Sequence, residues 1–197
     1  MSEKYYFDEE VFSKKGFKFK PKQDEELIGS VLRLKKSGKV LDLGCGEAGN
    51  SFALAEKGFE VTCIDISKTA IDYIKKESKK RKLKIKAICA DLEEYEFNEK
   101  YDVILGTGIF HFIPEKDSLR ILNKIKEITN SNGLNIIEVL LNGDISKEHD
   151  SEGYYFKKGE LKEFYSKWKI EQYKEYEAND KDAGVNNKLA RVVAVKK

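Results

Sequence analysis

Short apolar runs alternate along the chain with longer segments whose apolar residues recur at helical spacing. Five runs have the length of a buried strand, at Val40–Leu43, Glu60–Ile64, Lys84–Cys89, Tyr101–Leu105 and Leu134–Leu141. Between them, Gly58 and Ser67 stand where a helix C-cap and a helix N-cap are expected. A helix beginning at Pro114 is expected to end at Asn130–Gly133. This alternation predicts an α/β, doubly wound, mostly parallel sheet with helices on both faces.

Two flanks enclose this core. Residues 1–38 hold an aromatic-rich head and an amphipathic helix near Asp24–Lys36. The other flank holds a polar loop, a helix and two strands, near Asn142–Gly153, Lys158–Lys167, Trp168–Tyr176 and Lys188–Val195. These two strands bring the predicted sheet to seven strands. Because Pro and Gly are too sparse to mark a linker, we predict a single domain, residues 1–197, with residues 39–141 as its core and residues 142–197 as a lid loop and C-terminal elements.

The composition fits a folded domain with no general affinity for polyanions. The 197 residues are 40% hydrophobic and 37% charged, which excludes a disordered or fibrous chain. Because 37 Lys and Arg nearly cancel 35 Asp and Glu, the net charge is only +2. The basic run Lys75–Lys86 falls at a predicted helix end and contains no aromatic residue. This favours a solvated helix end, and a nucleic-acid partner is therefore not expected.

The apolar runs also bear on location. They are far shorter than the ~20 residues of a membrane span, and the polar start Met1–Lys4 leads into no signal-peptide core. We therefore expect a cytoplasmic protein without a membrane partner.

The three cysteines are Cys45, Cys63 and Cys89. They are odd in number, show no CxxC or metal-ligand spacing, and argue against a disulfide framework. Each lies in or beside a predicted strand, so we expect three small buried apolar side chains and no metal site.

The strongest chemical signal is the glycine-rich segment VLDLGCGEAG at Val40–Gly49. Gly44, Gly46 and Gly49 lie between a predicted strand and the helix that follows it. Glycines let the backbone approach a ligand closely, and the helix start offers free N–H groups and a positive dipole end. A lone GxGxxG is weak, but this strand–turn–helix context predicts a nucleotide-type cofactor.

Three acids follow strand ends and help to identify that cofactor. Asp65 lies 19 residues beyond Gly46 and can accept hydrogen bonds from both ribose hydroxyls, although it can also serve as a helix N-terminal acid beside Ser67. Asp42 can position the ammonium of the methionine moiety of S-adenosylmethionine (SAM), whereas a dinucleotide offers no cationic group there. Asp91 can accept from an adenine amino group with Leu92 against the ring, or be a solvated loop acid. Together these acids favour SAM over a nicotinamide dinucleotide.

The ordered segments VLDLGCG, VTCIDIS, CADL and YDVILGTG, spread over about residues 38–140, resemble the motif series of class I SAM-dependent methyltransferases. The resemblance implies a Rossmann-like fold, SAM as the cofactor and S-adenosylhomocysteine (SAH) as the product. It also implies cofactor contacts for Asn50, Ile66 and Thr107, which lie within or beside the matching segments.

A closer resemblance covers nearly the whole chain and is to the tellurite-resistance family of thiol and metalloid methyltransferases. It rests on Tyr6-Phe7, Gly49–Ser51, Phe110–Ile113, Phe156–Leu161 and Tyr165–Trp168. That family's activity implies methyl transfer to a small, soft acceptor, namely a thiol or a chalcogen oxyanion such as tellurite or selenite. The matching segments also imply an acceptor pocket formed by Tyr6, His111, Phe112 and Phe156.

The chain departs from that family at two places. The glycine loop of that family resembles GxGRNS, whereas the corresponding segment of this chain, Glu47–Ser51, contains no arginine. The family tends to carry a late His-Arg pair, where this chain has Glu177–Asp180. The acceptor is therefore open to another small metabolite, and a non-catalytic SAM-binding domain is an alternative. Nucleic acid and protein acceptors also stay alternatives, but Gly106–Ile109 lacks the Asn/Asp-Pro-Pro-aromatic motif of nucleic-acid amino methyltransferases. The oligomeric state is left open.

His111 is the candidate catalytic residue. Methyl transfer from a sulfonium is an in-line displacement that mainly requires alignment and exclusion of water. His111 follows the fourth strand, next to the expected methyl position, where it can act as a base, polarise the acceptor or only shape the pocket wall. The other histidine, His149, lies in a charged loop and is expected to be solvated.

Overall fold

The computed structural model describes residues 12, 14, 18–142, 153–180 and 185–197. Over this part of the chain the helices are α1 (Glu25–Leu34), α2 (Gly49–Glu56), α3 (Lys68–Arg81), α4 (Glu115–Ile128) and α5 (Glu160–Phe164). The strands are β1 (Lys39–Leu43), β2 (Glu60–Asp65), β3 (Ile85–Cys89), β4 (Tyr101–Thr107), β5 (Thr129–Leu140), β6 (Lys169–Asp180) and β7 (Val185–Val195). A 3₁₀ turn follows β4 at Phe110–Phe112.

The seven strands form one sheet in the order β3-β2-β1-β4-β5-β7-β6. Strands β1 to β5 run parallel, and β7 is antiparallel to both of its neighbours. The sheet is covered on both faces. One buried layer contains Leu41 and Ile104 with side chains of α4, and the other contains Val40 and Leu105 with side chains of α1 to α3. The predicted α/β, mostly parallel, seven-stranded fold is therefore confirmed.

The caps that were read from the sequence explain where the helices begin and end. The Ser67 hydroxyl accepts a hydrogen bond from the Ala70 N–H at 3.0 Å, as an N-cap does. The Asp24 carboxylate accepts a hydrogen bond from the Leu27 N–H at 3.0 Å and is the N-cap of α1. Helix α1 therefore begins one residue later than predicted, at Glu25. Gly58 follows α2 with a φ of 92°, a conformation that glycine adopts without strain.

Other boundaries also differ from prediction, among them the two ends of the C-terminal hairpin, where β6 continues to Asp180 and β7 begins at Val185. The segment Asn130–Gly133, predicted as the turn after α4, belongs to β5, because Thr129 already pairs with Tyr101 and the ladder continues after a bulge. Lys196, which follows β7, also pairs with this segment. Its N–H donates to the Gly133 carbonyl, and its own carbonyl accepts from the Asn132 N–H. Helix α5 is shorter than predicted and begins after Gly159, whose φ is 80°.

The expectation of three buried cysteines is wrong for one of them. Cys63 is buried and Cys45 is half-buried, but Cys89 is exposed. The reason is its strand: among the described residues β3 is the edge strand of the sheet, with a neighbouring strand on one side only. Within the described ranges, no helix is long and apolar enough to cross a bilayer.

Candidate functional site

The loops that carry the predicted site residues meet at the carboxyl ends of β1 to β5. The strand order reverses at β1, which has β2 on one side and β4 on the other. In open α/β sheets this reversal leaves a crevice between the loops, and ligands bind there. Over the described residues, the site therefore divides into loops after β1, β2 and β3 on one side and the loop after β4 on the other.

The glycine loop after β1 is held in a conformation that suits glycine. Gly44 and Gly46 have φ values of 62° and 49°. A Cβ added at Gly44 would also lie 2.6 Å from Ile109 Cδ1, so this glycine lets the loop after β4 approach. Ala48 stands in the same left-handed region, with a φ of 58°, immediately before α2.

Asp65 ties the glycine loop to the start of α3. One carboxylate oxygen accepts a hydrogen bond from the Gly46 N–H at 2.8 Å, and the other accepts from the Ser67 N–H at 2.9 Å. The contact with Ser67 matches the reading of Asp65 as a helix N-terminal acid. The same half-buried carboxylate also lines the cleft described next.

A cleft beside this loop collects six of the predicted site residues. They are Gly44, Asp65, Ile66, Asp91, Leu92 and Phe112. Four further residues line it and were missed in the sequence: Ala90 and Glu93 on either side of Asp91 and Leu92, and Ile109 and Ile113, which flank the 3₁₀ turn. The signal for the two isoleucines was their position beside the motif Phe110–Phe112, directly after β4. The cleft combines three acidic side chains, those of Asp65, Asp91 and Glu93, with apolar ones, a lining that suits a ligand with both polar and apolar parts.

Asp42 lies beneath the glycine loop and is only 4% exposed. One of its carboxylate oxygens accepts a hydrogen bond from Ser51 Oγ at 2.6 Å. Burial raises the pKa of Asp42 to about 6, with a smaller contribution from the charge of Asp65, and the Ser51 bond opposes the rise. A carboxyl group in this state is ionised at neutral pH but is poorly solvated, so a nearby cation would be attracted strongly.

Residues 18–24, which we name the strap, cross over the start of α2. The N–H of Lys20 donates to Glu47 Oε1 at 2.9 Å, and the N–H of Asp24 donates to Asn50 Oδ1 at 2.7 Å. A Cβ added at Gly49 would lie 2.0 Å from the Lys22 carbonyl oxygen. The third glycine of the motif is therefore required by the strap, whereas the sequence alone suggested close approach to a ligand.

We expect Gly49→Ala to push the strap off the glycine loop, because the obstructing atom belongs to the backbone. Overpacking of this kind destabilises by about 2 kcal/mol, or roughly 5 °C in Tm for a chain of this size. The matched control is Gly29→Ala in α1, where an added Cβ meets nothing within 4 Å and where alanine favours the helix. Thermal unfolding of the wild type and both variants measures the effect. A Gly49→Ala variant with the Tm of the wild type would show that the strap does not depend on Gly49.

The acceptor side contains the predicted residues of the loop after β4. His111 is half-buried, and its ring lies 4.0 Å from that of Phe112 and 6.4 Å from that of Tyr155. The N–H of Tyr154 bridges the carbonyls of Phe110 and Ile113, which fixes the segment after residue 152 against this turn. Thr107, at the end of β4, is half-buried.

Phe156 does not fit the predicted pocket wall. Its side chain is fully buried and packs in the core against Phe110 and Tyr154, at ring distances of 6.1 and 4.3 Å. We therefore remove it from the candidate pocket. Tyr6, which is also predicted there, and His149 lie outside the described residues.

A buried arginine beside the site was missed in the sequence. Arg191 of β7 is 6% exposed and donates to Glu138 Oε2 at 2.6 Å and to the side chain of Asp24. Tyr176 donates its hydroxyl to the same oxygen of Glu138 at 2.5 Å. The signal in the sequence is a charged residue inside the apolar run Leu189–Val195, since an arginine in such a run is buried only when it is paired.

Comparisons with known proteins agree with this architecture. A family model described as tellurite resistance protein TehB matches residues 5–192. A probable S-adenosyl-L-methionine-dependent methyltransferase TehB of Haemophilus influenzae is 30% identical over 164 residues, covering 81% of this chain and 57% of that protein. The chain thus spans little more than half the length of that relative.

Solved structures show the same likeness. The crystal structure of TehB from Haemophilus influenzae matches with a TM-score of 0.81 at 26% identity, over 98% of this chain and 67% of that one. Coclaurine N-methyltransferase bound to N-methylheliamine and SAH matches with a TM-score of 0.69 at 17% identity, over 92% of this chain and 77% of that one. The second likeness is one of fold alone.

Proposed function

The chain belongs to the TehB family of tellurite resistance proteins, and on that premise we propose that it is a SAM-dependent methyltransferase. The observation that carries the proposal is the cleft, which brings Gly44, Asp65 and Asp91 together beside the glycine loop.

The donor set of the cleft fits SAM. Asp65 is the carboxylate proposed to accept from the ribose hydroxyls, and Asp91 the one proposed for the adenine amino group. Ile66 and Leu92 provide apolar surface for the purine ring, and both line the cleft. Gly44, Gly46, Asn50 and Thr107 are proposed contacts of the methionine half, because they lie around the glycine loop and the end of β4.

In this scheme the bound SAM supplies an activated methyl group, and the residues of the chain align the acceptor with it. Ionised Asp42 balances the ammonium of the methionine moiety. His111 and Phe112 border the acceptor position, where they exclude water, and His111 can accept a proton from an acceptor that carries one.

We propose a small, soft acceptor, either a thiol or a chalcogen oxyanion such as tellurite or selenite. Such nucleophiles need little help from a base, which agrees with a site that offers one histidine beside aromatic rings. The second candidate is a SAM-binding domain without turnover, favoured by the loop Glu47–Ser51, which lacks the arginine of the family. An acceptor screen that includes other small metabolites separates the two.

Asp65→Ala is expected to weaken SAM and SAH binding by about ten- to a hundredfold, because charge-assisted hydrogen bonds to the ribose are lost. Titration calorimetry with SAM, SAH and NADH measures this. The matched control is Asp72→Ala, since Asp72 lies exposed on α3 and pairs only with Lys68 in the described contacts. We expect that variant to bind like the wild type and NADH to give no heat.

The result that would overturn the proposed function is a folded wild-type protein that binds neither adenosyl ligand. Binding of both ligands without turnover across thiols, selenite, tellurite and other small metabolites would instead support the non-catalytic alternative. Equal affinities in Asp65→Ala and the wild type would remove Asp65 from the site and leave the cofactor in place.

A further inference from the structure

Arg191 connects the two sides of the site, and we propose that it is a positioning residue that fixes the glycine loop relative to the loop after β4. It acts through other residues and is not proposed to touch SAM or the acceptor. The inference rests on the proposed function, since the distance that it fixes is the one between methyl donor and acceptor.

One arm of the connection reaches the cofactor side. The guanidinium of Arg191 donates from Nη2 to Oδ2 of Asp24, the N-cap of α1. The N–H of Asp24 in turn donates to Oδ1 of Asn50 at 2.7 Å. Asn50 stands in the first turn of α2, immediately after the glycine loop. Three residues thus link β7 to the loop on which the methionine half of SAM is proposed to lie.

The other arm reaches the acceptor side. Arg191 Nε donates to Glu138 Oε2 at 2.6 Å, and Glu138 stands next to Thr107 in the register of β4 and β5. The Glu138 carbonyl accepts from the Gly108 N–H at 3.3 Å. Gly108 begins the loop that carries His111 and Phe112. The same guanidinium therefore holds the strand end from which the acceptor-side loop departs.

An arginine suits this task, and a lysine does not. The planar guanidinium donates from two nitrogens in fixed directions, so it can hold Asp24 and Glu138 together, whereas an ammonium is a point charge. Burial of Arg191 strengthens both bonds, because its guanidinium is largely removed from water. A small misalignment of donor and acceptor slows methyl transfer strongly, so a fixed connection between the two loops would favour the reaction.

The test compares Arg191→Lys with the wild type by amide hydrogen exchange and by titration with SAH. We expect residues 44–51 and 106–112 to exchange about tenfold faster, while β2 stays protected. SAH affinity should fall by about five- to tenfold. In an Asn50→Ala background, which lacks the link to Asp24, the same replacement should change SAH affinity less than about twofold. Arg81→Lys, on the surface of α3, is the matched control and should affect neither loop.

The outcomes separate this inference from the proposed function. A wild type that fails to bind SAH overturns the proposed function. A wild type that binds SAH, with an equal loss on Arg191→Lys in both backgrounds, overturns only the positioning role, because the effect would then not pass through Asn50. An increase in exchange in β2 as large as that in the two loops would also overturn it, since the effect of Arg191 would then not be local to the site.

Discussion

Asp42→Asn is expected to stabilise the folded protein at pH 7.5 while weakening SAM binding. Burial raises the pKa of Asp42 from its ordinary 3.8 to about 6, so the ionised carboxylate is unfavourable in the folded state. An amide carries no charge to desolvate, and its oxygen can still accept from Ser51. We expect the free energy of unfolding to rise by about 1–2 kcal/mol, less than the full shift because the new NH₂ group also needs a partner.

The pH dependence decides whether burial is the cause. Between pH 3.8 and about 6 the folded wild type holds a proton on Asp42 that the unfolded chain has released. The stability of the wild type therefore falls as the pH rises through this window and stays lower above it. Chemical denaturation at pH 4 and pH 7.5 measures this, and the advantage of the Asn variant should appear only at the higher pH. An Asn variant that is less stable at pH 7.5 would contradict the argument.

Binding should change in the opposite direction. The proposed role of Asp42 is to balance the ammonium of SAM, and the amide cannot do so. We expect about tenfold weaker binding of SAM and SAH at pH 7.5. Wild-type affinity should fall as the pH drops below about 6, where Asp42 takes up its proton, while the affinity of the Asn variant should not. If the Asn variant and the wild type bound SAM with equal affinity at pH 7.5, Asp42 would have no role in cofactor binding.

Features that depend on local chemistry could be predicted from the sequence. Ser67 caps a helix because its hydroxyl competes for a nearby N–H, and that competition needs no tertiary structure. Asp65 and Asp91 share one cleft because parallel strands end at the same edge of a sheet, so their placement follows once the alternation of strands and helices is recognised.

Features that depend on distant contacts could not be predicted. Gly49 looked like a ligand-facing glycine, but the atom that excludes a side chain there is a backbone oxygen of Lys22. Cys89 is exposed because its strand lies at the sheet edge, and Phe156 is buried because it packs on Phe110. In each case the environment of the residue is decided by how distant parts of the chain are arranged, and periodicity carries no information about that arrangement.

Arg191→Met is expected to destabilise the protein by about 3 kcal/mol at pH 7.5, the largest loss that we predict. Asp24, Glu26 and Glu138 all lie within ion-pair distance of the guanidinium. Methionine fills much of the same space but leaves these carboxylates without their shared partner. The loss lies at the low end of the range for broken buried pairs, because Asp24 and Glu26 remain partly exposed to water.

Acid should remove this deficit, which distinguishes unpaired charge from lost packing. Burial alone would raise the pKa of Asp24, but the hydrogen bond from Arg191 and bonds from its own helix lower it below 3.8. Wild-type stability from this carboxylate is present above pH 3.8 and is lost as the pH falls through its lowered folded pKa. The free energy of unfolding of the Met variant should therefore approach that of the wild type near pH 3.

Two further variants serve as controls. Adding Glu138→Gln to Arg191→Met should recover part of the lost stability at pH 7.5, and Arg81→Met on α3 should cost less than about 1 kcal/mol. A deficit that is independent of pH would mean that Arg191 stabilises the fold through the packing of its side chain.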